Sequence, residues 1–349
     1  MPPRRHAFAG AVAVVIVVIL SACGEDAPTN ESIAGVETAG SIVVELLADG
    51  FEGPTQLVVL PNDDLVVAEL NGGERDGTGR VVLVDRDDPT SRTVLVSDLA
   101  KPTGVSVDGD LLWIMEQRRL TVGPLADPTD RTVVLDELPY NGRSEGTLTA
   151  LPSGGVLYDT SGSRSAERPD ELKPGSGTLW SIASPISEPA VVATGFKHAY
   201  AHVIDAGGQI WSTEMSDGRL DGEVPPDELV AVTAGDDHGY PLCVGDRVPV
   251  AELGATAATC SNSPASHALF PPGATPTSVA IAPWDTDALL VALWNRGEIV
   301  EVPRAAAGRP HVPEVVISGI ERPQHLVADG DRLLVTDFAG GRILSILQP

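Results

Sequence analysis

Aromatic side chains make up only 4% of this 349-residue chain. Its core must therefore be built from Val, Leu, Ile and Ala rather than from Phe, Tyr and Trp. Basic residues are few: 23 Lys and Arg stand against 49 Asp and Glu, a net charge of −26. That balance argues against nucleic-acid binding, because neutralising phosphates takes Lys and Arg. Acidic substrates are disfavoured too, unless a local basic cluster reverses the field. Long uninterrupted helices are disfavoured by 36 Gly and 29 Pro, which break helices and make turns frequent. Cysteine is limited to three residues, and no CxxC pair occurs among them. The spacing expected of a thiol metal site or redox pair is thus missing.

What is present begins at the N-terminus. Arg4, Arg5 and His6 precede an uncharged apolar run, Ala7 to Leu20, followed at once by Ser21-Ala22-Cys23. A basic start, a short apolar stretch and small residues at the cut describe a secretory signal. The run is short for a membrane-spanning helix, which needs roughly 20 apolar residues. Leu20-Ser21-Ala22-Cys23 resembles the bacterial lipobox, which implies lipidation of Cys23 and a membrane anchor on the extracytoplasmic face. Residues 1–22 are then the signal peptide. Residues 23–40, small and polar, are a flexible tether, and 41–349 are the folded part. In an oxidising compartment the two remaining thiols, Cys243 and Cys260, are expected to pair.

A unit of two or three apolar runs, separated by Gly, Asp or Asn turns, recurs six times. Its first copy is Pro54 to Leu60, the turn Pro61-Asn62-Asp63-Asp64, then Leu65 to Glu69. Later copies start near Pro102, Gly146, Ala201, Pro276 and Pro323. Short β-branched runs between turns are strands, and strand units repeating every 40 to 50 residues or so indicate a β-propeller. The expected fold is all-β, a six-bladed propeller. Its last blade lacks a fourth strand, which the segment Ile42 to Leu47 near the N-terminus can supply, removing an exposed edge.

The second strand ends in an acid in five of the six copies: Glu69, Glu116, Asp159, Glu214 and Asp337. In a propeller these positions share a rim with the loops that precede the first strands. Carboxylates converging on one point call for a cation or basic partners, and an all-oxygen set suits Ca²⁺. Against this stands the plainer expectation that each acid caps a turn or pairs with a nearby Arg or Lys.

Residues 221–247 are the most distinctive stretch. Pro225-Pro226-Asp227-Glu228-Leu229 is followed by His238-Gly239-Tyr240-Pro241, and later by Trp294-Asn295-Arg296 and Asp337-Phe338-Ala339-Gly340-Gly341-Arg342. These segments resemble the glucose/sorbosone dehydrogenase family, six-bladed propellers that oxidise sugars with pyrroloquinoline quinone (PQQ). The resemblance implies a sugar or similar alcohol as substrate, PQQ and Ca²⁺ as cofactors, and hydride transfer to the quinone while a His takes the hydroxyl proton. The electron acceptor is not implied. Matched position by position, Lys197, His198, Asn295, Arg296, Arg322 and Gln324 correspond to the cofactor contacts, and Trp294 is a further rim candidate. The catalytic His belongs in Leu138 to Leu148, which contains none. Arg143, Ser144 and Glu145 occupy its place. Two other functions therefore stand beside the dehydrogenase: a non-catalytic propeller that binds a sugar or a protein, and a Ca²⁺-dependent hydrolase of the lactonase kind.

Overall fold

The computed structural model describes Ile33 and residues 35–72, 78–139, 146–162, 172–216 and 218–349. Six antiparallel sheets of at least four strands follow one another around a central channel. The first blade comprises Pro54–Val59, Leu65–Glu69, Gly79–Val84 and Arg92–Leu99. The innermost strands of the remaining blades are Gly104–Asp108, Thr149–Ala150, His202–Ile204, Pro276–Ala282 and Pro323–Asp329. Second strands such as Leu65–Glu69 and Val156–Thr160 are buried along their whole length. Both faces of each sheet pack against neighbouring blades, so these strands are continuously apolar rather than alternating. The outermost strands turn one face to water, and Val94, Val133 and Val191 are half exposed there.

The ring closes as the sequence pattern requires. Val43–Asp49 pairs with Arg342–Leu347, the third strand of the sixth blade, and completes that sheet. The preceding segment is engaged too: Glu37–Thr38 adds a fifth strand to blade five through Ser318 and Ile317. Ile33 and Val36 pack against the core between blades five and six.

A short polar repeat ties the blades together. Thr55, Thr147 and Thr277, each buried, start the first strands of blades one, three and five. Their hydroxyls donate to carbonyls of the next blade: Thr55 to Pro102 (2.9 Å), Thr147 to Tyr200 (3.5 Å) and Thr277 to Pro323 (2.8 Å). Thr336 closes the ring by donating to the Thr55 carbonyl at 2.8 Å.

The long connection between Asp227–Val232 and Ala268–Phe270 folds back to the rim that carries the ends of the second strands. Backbone bonds from His238 to Thr194 and from Tyr240 to Gly195 hold it there. The Cys243–Cys260 disulfide closes it, and Leu220, Tyr240 and Val250 form a small core beneath. Replacing both cysteines by Ser is expected to cost about 3 kcal/mol for a loop of this length and to lower the melting temperature by several degrees in a thermal melt. An unchanged melt would show that the loop is held by its packing alone.

Candidate functional site

The five rim acids share a local task. Each accepts the backbone N–H of the loop that leads into its own blade. Glu69 holds Glu52 (2.8 Å), Glu116 holds Ala100 (2.8 Å), Asp159 holds Gly146 (2.7 Å), Glu214 holds Lys197 (2.7 Å) and Asp337 holds Arg322 (3.0 Å). Three also bind an arginine of their own sheet: Glu69 with Arg80 (2.5 Å), Glu116 with Arg131 (3.4 Å) and Asp337 with Arg342 (2.9 Å). Among the described residues no three His, Cys, Asp or Glu side chains are grouped to hold a metal ion. The acids are therefore a repeated latch between the end of strand two and the start of strand one. They do not form the convergent carboxylate ring expected for calcium. Glu69→Gln and Glu116→Gln are each expected to lower stability by about 1–3 kcal/mol, the scale for weakening a buried charged hydrogen bond. Any heat of calcium binding in calorimetry should be unchanged, and loss of that heat would restore the carboxylates as ligands.

Two of the five latches do more than hold a loop. Asp159 presents its second oxygen to His198 Nε2 at 3.4 Å, with both side chains buried. Burial pushes the Asp159 carboxyl well above its usual range, against the pull of the Gly146 N–H. Gly146 lets the two blades approach, since a Cβ there would collide with the Tyr200 carbonyl. Glu214 lies directly opposite Glu228 in the sheet. Burial, then repulsion from Glu228, raises its carboxyl well above the usual value, while Lys197 opposes the shift.

Around these groups the channel mouth carries several donors. The Lys197 ammonium, on a side chain 2% exposed, sits over the Tyr240 ring at 5.4 Å. His198 meets the edge of Tyr200 at 5.1 Å between ring centroids. Gln324 crosses from blade six to donate to the Tyr200 hydroxyl at 2.7 Å. Arg322 stacks its guanidinium on Trp294 at 3.9 Å and donates to Asn295 at 3.3 Å. Phe338 flanks the same tryptophan, with ring centroids 6.0 Å apart. Arg296 is turned away: it is largely exposed and paired with Glu298 at 2.7 Å. Of the expected cofactor contacts, Lys197, His198, Gln324, Arg322 and Asn295 are tied together by these contacts, and Arg296 is engaged by Glu298 instead. Arg143, Ser144 and Glu145 lie outside the described residues.

Deeper in the channel lie Gln56, which the sequence did not mark, and His202 and His325, which it offered as possible bases. Gln56 reaches from blade one, donating to the Leu148 carbonyl (2.7 Å) and accepting from Val105 (3.0 Å) and Leu148 (2.9 Å). A glutamine in an otherwise apolar first strand, as also at Gln324, was the available signal. His202 lies 2.7 Å from the Thr149 hydroxyl through Nδ1, and that hydroxyl also donates to the His202 carbonyl. Because the hydroxyl's one proton goes to the carbonyl, Nδ1 carries the ring proton and Nε2 is bare. Burial lowers both His202 and His325 to about 3. His267, in contrast, sits beside Trp211 and His311, 4.7 and 4.9 Å from their rings, next to the outer strand of blade four.

No protein-family profile matches the chain, and no curated protein matches it in sequence. Solved structures do match. A calcium structure of a Trichoderma reesei enzyme of carbohydrate-active family AA12 superposes with a TM-score of 0.76 at 16% identity, over 92% of this chain and 100% of that one. The holo PQQ domain of Coprinopsis cinerea pyranose dehydrogenase gives 0.74 at 16% identity, over 90% and 97%. The PQQ-bound aldose sugar dehydrogenase of Streptomyces coelicolor gives 0.68 at 17%, over 89% and 99%. The chain shares the six-bladed fold of these sugar dehydrogenases. At such identity the likeness carries the architecture, and chemistry must be argued from this chain's own side chains.

Proposed function

We propose that this protein is a sugar dehydrogenase of the PQQ-dependent kind, lipid-anchored through Cys23 on the extracytoplasmic face and acting on an aldose or similar alcohol. The observation that carries the reading is the donor set at the channel mouth: Lys197, the Gln324–Tyr200 pair and the Arg322–Trp294–Asn295 cluster. Cations, an amide, a hydroxyl and an aromatic face suit a planar quinone bearing carboxylates. When bound, PQQ supplies a carbonyl that accepts hydride from the sugar carbon.

The residues' parts follow from their positions. Arg322, stacked on Trp294, and Lys197 hold the anionic groups. Gln324 keeps the Tyr200 hydroxyl aimed by donating to it. Once Asp159 is ionised, it takes the His198 Nε2–H as partner, so that Nδ1 is the basic nitrogen that receives the proton of the substrate hydroxyl, and the same carboxylate steadies the charge the ring acquires. Calcium is not assigned to the five rim carboxylates, which do not fit it. Loop carbonyls on the same rim are its proposed donors.

The test is direct. Purified protein given PQQ and Ca²⁺ is titrated calorimetrically and then assayed for dye reduction with a panel of sugars. Binding of PQQ with weak, sugar-dependent dye reduction is expected. Absence of PQQ binding would sink the proposal. The second reading, a non-catalytic sugar-binding propeller, is favoured by the lack of His in residues 138–148. Heat of sugar binding without any dye reduction would support it.

A further inference from the structure

We infer that the rim carrying the candidate site faces the membrane, so that its mouth opens toward the lipid headgroups. The inference rests on the proposed anchor at Cys23. Its structural basis is the place where the chain joins the propeller. Glu37 pairs with Ser318, at the end of the last strand of blade five, where that strand runs up to the site rim. Gly35 lies against Gly319, just before Arg322, so closely that a Cβ on Gly319 would collide with the Gly35 carbonyl. Ile33 and Val36 pack onto the cluster that contains Ile320. The N-terminal segment therefore reaches the propeller at the site rim, beside Ile320 and Arg322.

Ten peptide units separate Cys23 from Ile33. Fully extended they span at most about 35 Å. Blade strands alone are about 17–20 Å long, and their turns add to that height. Bringing the opposite rim to the bilayer would demand a nearly straight tether, whereas bringing the site rim down demands little extension.

The experiment uses the full acylated chain in vesicles of phosphatidylethanolamine and phosphatidylglycerol that carry a headgroup-attached quencher. A thiol-reactive fluorophore is placed at Glu321→Cys on the site rim or at Asp331→Cys on the opposite rim. Several-fold stronger quenching at position 321 is expected. A Gly/Ser insertion of about twenty residues ahead of Ile33 should erase the difference, because the tether then spans either orientation. Equal quenching in the uninserted protein, or stronger quenching at 331, would overturn the orientation. Mass spectrometry of the same preparation separates the two failures. Without an acyl chain on Cys23, the anchor falls and the orientation with it. With the acyl chain present, only the orientation is at stake.

Discussion

His198→Ala is expected to lower the turnover number of sugar-dependent dye reduction by about 100-fold or more, the usual scale for losing a positioned general base. PQQ affinity should change far less, since Lys197, Arg322, Trp294 and Gln324 remain. Asp159→Asn should produce a similar fall, because an amide facing Nε2 cannot compensate positive charge on the ring. Ser144→His or Arg143→His provides the converse measurement: an imidazole in the segment where the resembling family carries its base should raise a weak wild-type rate. Arg143 itself cannot act as a base, because its guanidinium stays protonated at any workable pH. Robust wild-type turnover that is indifferent to His198→Ala and Asp159→Asn would remove this pair from the mechanism.

Acid should act on the channel histidines with a comparably large effect on stability. His202 and His325 are held near a pKa of about 3 by burial, against an unfolded value near 6.5. A depressed folded pKa means the unfolded chain binds the proton first. Stability from these groups is therefore complete above about pH 6.5 and is lost as pH falls toward 3. The loss is about 1.4 kcal/mol per pH unit for each histidine. The raised carboxyls of Asp159, Glu214 and Glu228 act in the opposite sense. Their contribution is present at low pH and is lost as pH rises through their folded values. The expectation is accordingly placed on a difference. In denaturant titrations between pH 6.5 and 5, wild type should lose roughly 2–3 kcal/mol per pH unit more than His202→Gln/His325→Gln. Parallel slopes would mean that the two rings are not kept neutral in the fold.

Much of the architecture was legible from the repeat. The runs at Leu65 to Glu69 and Ala288 to Leu293 are strands because β-branched and aliphatic residues between turns leave few alternatives. The closing role of Val43–Asp49 followed from counting strands, and the Cys243–Cys260 pair from there being two thiols left in a chain whose N-terminus reads as an export signal. The five acids were legible as positions but not as a function. Whether a carboxylate points into the channel or back to its own loop depends on arginines such as Arg80 and Arg342. These lie across the sheet from the acids, and cross-strand register is not local in sequence. The composition of the mouth was partly legible through Lys197, Arg322 and Gln324. Its pairings were not: His198 meets Asp159 from another blade, and Gln324 meets Tyr200 across the channel. Nor was the pairing of Arg296 with the adjacent acid Glu298 at the surface.

The sequence by itself determined that this is a ring of six β-blades with a stapled connection, built on an aliphatic core and lacking histidine in the segment where a related base would sit. Strand periodicity, turn chemistry and composition act over a few residues and survive without knowledge of neighbours. Only the tertiary structure decided that the rim acids are latches, that His198 and Asp159 form a buried pair, and that Gln56, His202 and His325 line the channel. Those outcomes depend on which blades face each other and on how far burial shifts a proton. Both are set by packing between residues far apart in the chain, 124 positions for Gln324 and Tyr200.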